Sequence, residues 1–92
     1  MQPLQPFRER LNDIDARIIK LLGERFDVVR EVGLCKKINN IPMMQSRRVE
    51  EVKQRCAEIG KQFELDIDFI KAIYTLIINE ACRIEDDIID AE

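Results

Sequence analysis

Histidine is absent from this chain of 92 residues, and its absence removes several kinds of chemistry. Imidazole is the usual general base of Ser-His and Cys-His catalytic pairs and a frequent metal ligand. No two cysteines have the short spacing of a zinc site either. The sequence therefore predicts no metal centre, and any catalysis must use arginine, lysine, carboxylate and amide groups.

Cysteine is scarce, and its count of three is odd. Cys35, Cys56 and Cys82 each fall on the apolar face of a predicted helix, where a free thiol behaves as a small hydrophobic side chain. We therefore interpret all three as core residues.

Long apolar runs are missing, because no stretch approaches the roughly 18 residues that a membrane span needs. The N-terminus also lacks the basic segment and apolar core of a signal peptide. The net charge is −3, and basic residues alternate with acidic ones, so neither nucleic acid nor a membrane surface is an expected partner. We expect a soluble, cytoplasmic protein.

Tryptophan is absent, glycine and proline number three each, and no β-branched run alternates with polar residues. A hydrophobic fraction of 46% with 36% charged residues is typical of amphipathic helices. The predicted fold class is all-α, with one domain over residues 1–92. We expect three helices, at about Leu4 to Ile38, Ser46 to Phe63 and Asp66 to Ile89.

Turn and capping residues set these bounds. The run Asn39-Asn40-Ile41-Pro42 ends the first helix, because proline disfavours a helical residue before it and asparagine favours turns. Glu64-Leu65 forms a short break between the second and third helices. Ser46 and Asp66 are the predicted N-caps of those two helices.

Each predicted helix has one apolar face at spacings of three and four residues. The stripe of the first helix comprises Leu4, Phe7, Leu11, Ile14, Ile18, Leu21, Arg25, Val28, Val32 and Cys35. The inner face of the second comprises Val49, Val52, Cys56, Ile59 and Phe63, and that of the third Ile67, Ile70, Tyr74, Ile77, Ala81, Ile84 and Ile88.

The first helix is too long to be covered by the other two. At about 1.5 Å per residue it would extend roughly 50 Å, whereas a compact chain of this size has a radius of gyration near 13 Å. Gly23 and Gly33 lie in its interior and indicate close helix approach or a local bend. We therefore predict an intertwined homodimer, in which a second copy packs along the overhang.

One member of the first stripe, Arg25, carries a permanent charge, which requires an anionic partner inside a helix seam. Lys36 follows eleven residues later, almost a whole number of turns, and so projects from the same face. The two cations could bind a carboxylate ligand or form two buried ion pairs.

Arg8, Arg48 and Glu85 lie beside the apolar faces. A structural explanation treats such charges as the flanking positions of a helix bundle, paired across its interfaces. The acids available for that pairing are Glu24, Glu31, Glu50 and Glu51.

Four segments carry a joint pattern: Phe7 to Asp15, Leu21 to Arg25, Val32 to Lys36 and Ile41 to Arg48. They contain an arginine before the first Ile-Asp, an arginine ending Leu-Leu-x-Glu-Arg, a lysine eleven residues later and an arginine after the proline. In this order and spacing, over nearly the whole chain, they resemble the all-helical chorismate mutase family. The resemblance implies a three-helix protomer in an interlocked homodimer.

The resemblance also implies a [3,3] rearrangement of a dicarboxylate substrate, which needs no nucleophile, metal or cofactor. Arg8 from the second protomer, together with Arg25 and Arg48, would bind the two carboxylates. Lys36 would donate to the ether oxygen, where negative charge grows as the carbon-oxygen bond breaks. Glu85, which stands where bacterial members often have glutamine, would have to be protonated to donate, so activity should improve toward acidic pH.

Three further positions differ from the commonest family pattern. Gln45 replaces an acidic residue, Ala81 replaces a serine, and Val49 replaces a glutamate that binds the hydroxyl group of the substrate ring. These positions therefore bear on which substrate the chain would bind.

Two branches of the family resemble this chain locally. The pair Arg48-Val49 is similar to the isochorismate-pyruvate lyase branch. The segments Ile41 to Gln45 and Ala81 to Asp86 look most like the branch that acts on 4-amino-4-deoxychorismate.

Three hypotheses follow from these patterns. The first is a mutase that rearranges chorismate or 4-amino-4-deoxychorismate to the corresponding prephenate. The second is a lyase of the same fold that releases pyruvate from isochorismate, and the third is a noncatalytic helical interaction module. The cations favour an enzyme, because a structural bundle has no reason to place an arginine in its seam.

Overall fold

The computed structural model describes residues 3–91, which form three helices and no strand. Helix α1 spans Gln5–Asn39, α2 spans Ser46–Lys61 and α3 spans Ile67–Asp90. The predicted all-α class is confirmed, and the predicted bounds of α1 and α3 are each within one residue. The predicted end of α2 at Phe63 is wrong by two residues.

Left-handed residues end the first two helices. Asn40, with a φ of 53°, follows α1 and donates its backbone N–H to the carbonyl oxygen of Lys36, so the predicted asparagine turn is confirmed. Glu64, with a φ of 59°, lies in the break between α2 and α3. Beside it, the N–H of Leu65 donates to the carbonyl oxygen of Gly60 at 3.0 Å, which reverses the chain and places Phe63 outside the helix.

The two predicted N-caps have different outcomes. Asp66 caps α3, because its carboxylate accepts a hydrogen bond from the backbone N–H of Phe69 at 2.9 Å. The prediction for Ser46 is wrong, because Ser46 is already the first helical residue and Gln45 occupies the cap position. In the described structure no side chain, that of Gln45 included, accepts a hydrogen bond from the first backbone N–H groups of α2.

Helix α3 packs against both α1 and α2 and contributes four of the eight buried residues of the three helices. Every residue of its predicted inner face is buried or half-buried. The predicted face of α2 is correct at Val52 and Cys56 but wrong at Ile59 and Phe63, which are exposed. The small residues Ala57 and Gly60 are buried instead, because only small side chains fit where α2 approaches α3.

Helix α1 meets α3 most closely at Gly33, the only buried residue of α1. A Cβ atom there would lie 3.2 Å from Ile88 Cδ1 and 3.5 Å from Glu85 Cα, which confirms the predicted close approach. Gly23 has no neighbour within 4 Å of such an atom.

The end of α1 is held to the end of α3 by Lys37, whose Nζ donates to the carbonyl oxygens of Ile88, at 3.1 Å, and of Ala91.

The first half of α1 extends beyond the other two helices, and every residue from Gln5 to Leu21 is exposed. The chain measures 59 × 28 × 15 Å, so its third dimension is little more than one helix thick. Within the described residues no large side chain is fully buried.

The three cysteines have different outcomes. Cys35 lies on the uncovered stripe and is exposed, so its prediction as a core residue is wrong for a single chain. Cys56 and Cys82 are half-buried.

Among residues 3–91, no helix combines the length and the apolar character that crossing a membrane requires.

The two candidate caps provide a matched stability test. We expect Asp66→Ala to lower the free energy of unfolding by about 1 kcal/mol, because it removes the acceptor for an orphan amide of α3. Ser46→Ala removes a hydroxyl that caps nothing and should change stability by less than about 0.5 kcal/mol. Urea unfolding followed by circular dichroism at one protein concentration measures both, and equal losses would contradict the assignment.

Candidate active site

A cavity of about 510 Å³ is lined by the second half of α1, residues 43–45, α2 and α3. This volume is in the range of small-molecule sites. Seven of the eight residues predicted from the sequence line it: Arg25, Lys36, Gln45, Arg48, Val49, Ala81 and Glu85.

Arg8 is the eighth predicted residue, and it does not line the cavity. It is exposed on the first half of α1, seventeen residues before Arg25, which corresponds to about 25 Å along a helix. A single chain therefore does not bring Arg8 to the other cations.

Three guanidinium groups of the cavity have no carboxylate within ion-pair distance among the described residues. Arg25 comes from α1, and Arg48 and Arg55 come from α2. Arg55 was missed by the sequence analysis, although it follows Arg48 by seven residues, almost two turns, and therefore lies on the same face of the helix. Within one chain, the described residues pair none of these arginines with an acid, and Glu51 pairs with the neighbouring Arg47.

Lys36 and Glu85 form the one ion pair of the cavity. Lys36 Nζ lies 2.6 Å from Glu85 Oε1 and also donates to the carbonyl oxygen of Met43 at 2.8 Å. Their side chains are only 16% and 9% exposed, so the pair is largely withdrawn from solvent. A buried pair is held in place strongly because separating it leaves an uncompensated charge.

The sequence placed Glu85 at the edge of an apolar face, whereas the structure buries it. The side chain of Gly33 is a hydrogen atom, so α1 approaches α3 closely and covers Glu85. A structural explanation of Glu85 predicts a solvated salt bridge to Arg83 or to Lys36. The pair with Lys36 forms, although it is buried and not solvated, whereas Arg83 pairs with Glu80 and Asp87.

One oxygen of Glu85 is incompletely satisfied. Glu85 Oε1 is buried, and no donor among the described residues makes an aligned hydrogen bond to it, although Lys36 Nζ is close. We therefore treat the contact as an ion pair without a well-directed hydrogen bond. A buried oxygen in this condition is unfavourable, and a bound donor or a proton on Glu85 would satisfy it.

The charge of the cavity is strongly positive. Its lining includes four cationic side chains and one carboxylate, a formal net charge of +3. Arg25 and Lys36 are half-buried, whereas Arg48 and Arg55 are exposed. Cations gathered around one cavity attract a dianion and stabilise negative charge that develops on it. The arrangement suits a small molecule with two carboxylates.

The remaining walls are apolar or neutral. The side chains that cover the space between the cations are Val28, Val29, Val32, Met43, Met44, Val49, Val52, Ile78 and Ala81. Burial, followed by the charge of Glu85, raises the pKa of the Cys82 thiol, although Lys36 opposes the shift. Cys82 is therefore a neutral thiol at physiological pH and offers no thiolate nucleophile.

Comparison with known proteins agrees with this geometry. The family model for chorismate mutase type II matches residues 7–86, which includes every residue of the cavity. Two relatives are named 4-amino-4-deoxychorismate mutase: one from Streptomyces pristinaespiralis, 33% identical over 92% of this chain, and one from Streptomyces venezuelae, 34% identical over 97% of it. The bifunctional chorismate mutase/prephenate dehydratase of Escherichia coli is 30% identical over 86% of it.

The chain spans 66% and 86% of the two Streptomyces proteins and 20% of the bifunctional Escherichia coli protein. The matched region thus includes all three helices and the cavity between them. On the strength of the family match and of these relatives, the chain belongs to the chorismate mutase type II family.

Proposed function

We propose that this isomerase of the chorismate mutase family rearranges 4-amino-4-deoxychorismate to 4-amino-4-deoxyprephenate, with chorismate as the alternative substrate. The observation that carries the proposal is the set of three unpaired guanidinium groups beside the Lys36–Glu85 pair in one cavity. Such a set binds a dianion and leaves one ammonium and one carboxyl group for the reacting centre.

The arginines act by holding the substrate. Arg25 and Arg48 bind its carboxylates through two-pronged hydrogen bonds, which fix the orientation as well as the position of each group. A [3,3] rearrangement requires the enolpyruvyl side chain to fold over the ring, so restraining both carboxylates selects the reactive conformer. The apolar walls exclude water from the two carbon atoms that form the new bond, one on the enolpyruvyl side chain and one on the ring.

Lys36 acts on the bond that breaks. Its ammonium group donates to the ether oxygen, on which negative charge develops during cleavage of the carbon-oxygen bond. The Glu85 and Met43 contacts already hold Nζ in place, so little reorganisation accompanies the reaction. Glu85 in its protonated form is a second donor to the same oxygen.

The substituent at C4 of the ring is expected to meet Gln45 and Val49, which line the cavity without adding a carboxylate. The amide of Gln45 can accept a hydrogen bond from an amino group and can also bind a hydroxyl group. Both substituents therefore fit the chemistry of this corner. The names of the two Streptomyces relatives favour the amino substituent.

The proposal includes a homodimer with Arg8 donated across the interface. The uncovered stripe of α1 exposes between 42% and 63% of each of its large apolar side chains from Leu4 to Leu21, and the long helix of a second copy would cover it. An antiparallel second helix would also bring one Arg8 to the cavity of the other chain, which the distance within one chain forbids.

The functional test is mass-resolved product analysis with 4-amino-4-deoxychorismate, chorismate and isochorismate offered separately to the purified protein. A product of unchanged mass from the amino compound, formed faster than from chorismate, supports the proposal. Faster turnover of chorismate would reassign the substrate. The absence of turnover with all three would contradict an enzymatic role and leave the interaction module.

A lyase is the second candidate, and Val49 after Arg48 is the feature that favours it. The same cations could bind isochorismate in a different orientation, with release of pyruvate. Pyruvate formed from isochorismate in the same experiment, with no isomer from the other two compounds, would establish this alternative.

Neighbouring arginines of α2 offer a matched pair for the binding role. We expect Arg48→Ala to lower kcat/KM at least about 100-fold, because it removes a charge-assisted contact to a carboxylate. Arg47→Ala should leave kcat/KM within about twofold, since Arg47 is 95% exposed and pairs only with Glu51. Steady-state kinetics measure both, with circular dichroism to verify the fold.

The two cations of α1 extend that comparison. Arg25→Ala and Lys36→Ala should each remove most turnover, by about 100-fold or more, while the helical spectrum is retained. Full activity in both variants would contradict the assignment of the cavity as the active site.

Mixing two inactive variants tests the position of Arg8. If Arg8 acts across the interface, a heterodimer of Arg8→Ala and Arg25→Ala contains one complete site. Random exchange should then restore about a quarter of the wild-type activity, because half of the dimers are mixed and each has one functional site of two. No recovery after unfolding and refolding the mixture would place Arg8 in the site of its own chain. An Arg8→Ala variant that is fully active by itself would place Arg8 outside any site, and Arg10→Ala serves as the surface control.

Two substitutions test Glu85 as a donor. Glu85→Gln keeps a donor group at every pH, whereas Glu85→Ala removes both the donor and the partner of Lys36 Nζ. Turnover, measured by steady-state kinetics, should therefore persist in Glu85→Gln and fall about tenfold or more in Glu85→Ala. Equal turnover in the two variants would contradict the donor role.

A further inference from the structure

The guanidinium group of Arg25 lies over an aromatic ring. Its guanidinium carbon lies 5.8 Å from the ring centroid of Tyr74, within the range of cation–π attraction. Tyr74 belongs to α3 and is half-buried. It is the only tyrosine of the chain, and it is not among the residues that line the cavity.

The phenol remains neutral in this environment. Burial, followed by the interaction with the Cys56 thiol, raises the pKa of Tyr74, while the charges of Arg25 and Arg55 oppose the shift. Tyr74 therefore offers Arg25 the face of a neutral ring at physiological pH. The attraction does not depend on a phenolate.

We propose that Tyr74 is a positioning residue, which holds the Arg25 guanidinium in the orientation that receives a substrate carboxylate. This inference rests on the proposed function. It explains how Arg25 can be both ordered and available: an acidic partner would order the side chain but compete with the substrate, whereas an aromatic face attracts the cation and leaves its N–H donors free.

The three helices converge on this ring. Tyr74 comes from α3, Arg25 from α1, and Arg55 with Cys56 from α2. The charges of Arg25 and Arg55 both act on the same phenol, so the ring lies near both guanidinium groups. The absence of an acid near Arg25 among the described residues makes the ring its main restraint.

Kinetics of two substitutions separate the ring face from the hydroxyl group. Tyr74→Phe keeps the ring and should stay within about twofold of wild type, whereas Tyr74→Leu keeps an apolar side chain without a ring and should lower kcat/KM about fivefold to tenfold, mainly through KM. Phe69→Leu, which changes an exposed ring of the same helix, is the control and should have no effect. Equal losses in Tyr74→Phe and Tyr74→Leu would overturn the proposal.

A double substitution distinguishes positioning from general packing. In the Arg25→Ala background, Tyr74→Leu should cause no further loss, because the residue through which it acts is gone. The same fold-loss in both backgrounds would show that Tyr74 supports the structure and does not position Arg25, and would overturn the inference.

An NMR measurement keeps the test independent of turnover. The Nε–H resonance of Arg25, assigned by its loss in Arg25→Ala, should be displaced by the ring current of Tyr74, keep its position in Tyr74→Phe and move in Tyr74→Leu. An inactive wild-type protein would refute the proposed function, yet this resonance would still decide whether Tyr74 holds Arg25. A resonance that is unchanged in Tyr74→Leu would overturn the positioning role.

Discussion

The close approach of α1 to α3 at Gly33 is the contact on which the rest of the site depends. It brings the α1 backbone against Glu85 and Ile88, so that Glu85 is covered and meets Lys36. Lys37 then holds the same end of α1 to the carbonyl oxygens of Ile88, in the last turn of α3, and of Ala91, just beyond the helix. A Cβ atom at position 33 would require the Ile88 side chain to shift, and a longer side chain would press on Glu85 itself.

The cavity concentrates positive charge that the fold does not neutralise. Like charges held close together oppose folding, and the three unpaired guanidinium groups are therefore a local source of instability. Enzymes commonly retain such strain at the places where a ligand supplies the missing charge. The paired Lys36 differs from the arginines, because its partner restrains it at the position where the reaction develops negative charge.

The uncovered half of α1 has the opposite chemistry, since it exposes apolar surface where a soluble single chain would be polar. One chain is little more than a single helix thick along its shortest dimension, so it cannot bury this stripe itself. The proposed second copy accounts for the stripe and for the distance of Arg8 from the cavity with one arrangement.

The sequence by itself determined the helices and seven of the sixteen residues that line the cavity. Proline, asparagine and acidic caps bound the helices because they act within one or two turns, and the spacing of Arg25 and Lys36 placed both on one face because a helix repeats every 3.6 residues. The family resemblance identified Arg48, Gln45, Val49, Ala81 and Glu85, all of which line the cavity.

Only the tertiary structure decided how these faces meet. Several features depend on the angle and distance between two helices. They are the burial of Glu85, the exposure of Ile59 and Cys35, the position of Arg55 in the cavity wall and the cation–π contact of Arg25 with Tyr74. Periodicity specifies the face on which a residue lies, but the depth of its burial is set by the size of the side chains on the facing helix. Here the depth of burial was decided by small residues, Gly33 in α1 and Ala57 with Gly60 in α2. Glycine and alanine contribute little to a pattern of apolar side chains, so the sequence pattern did not reveal their role.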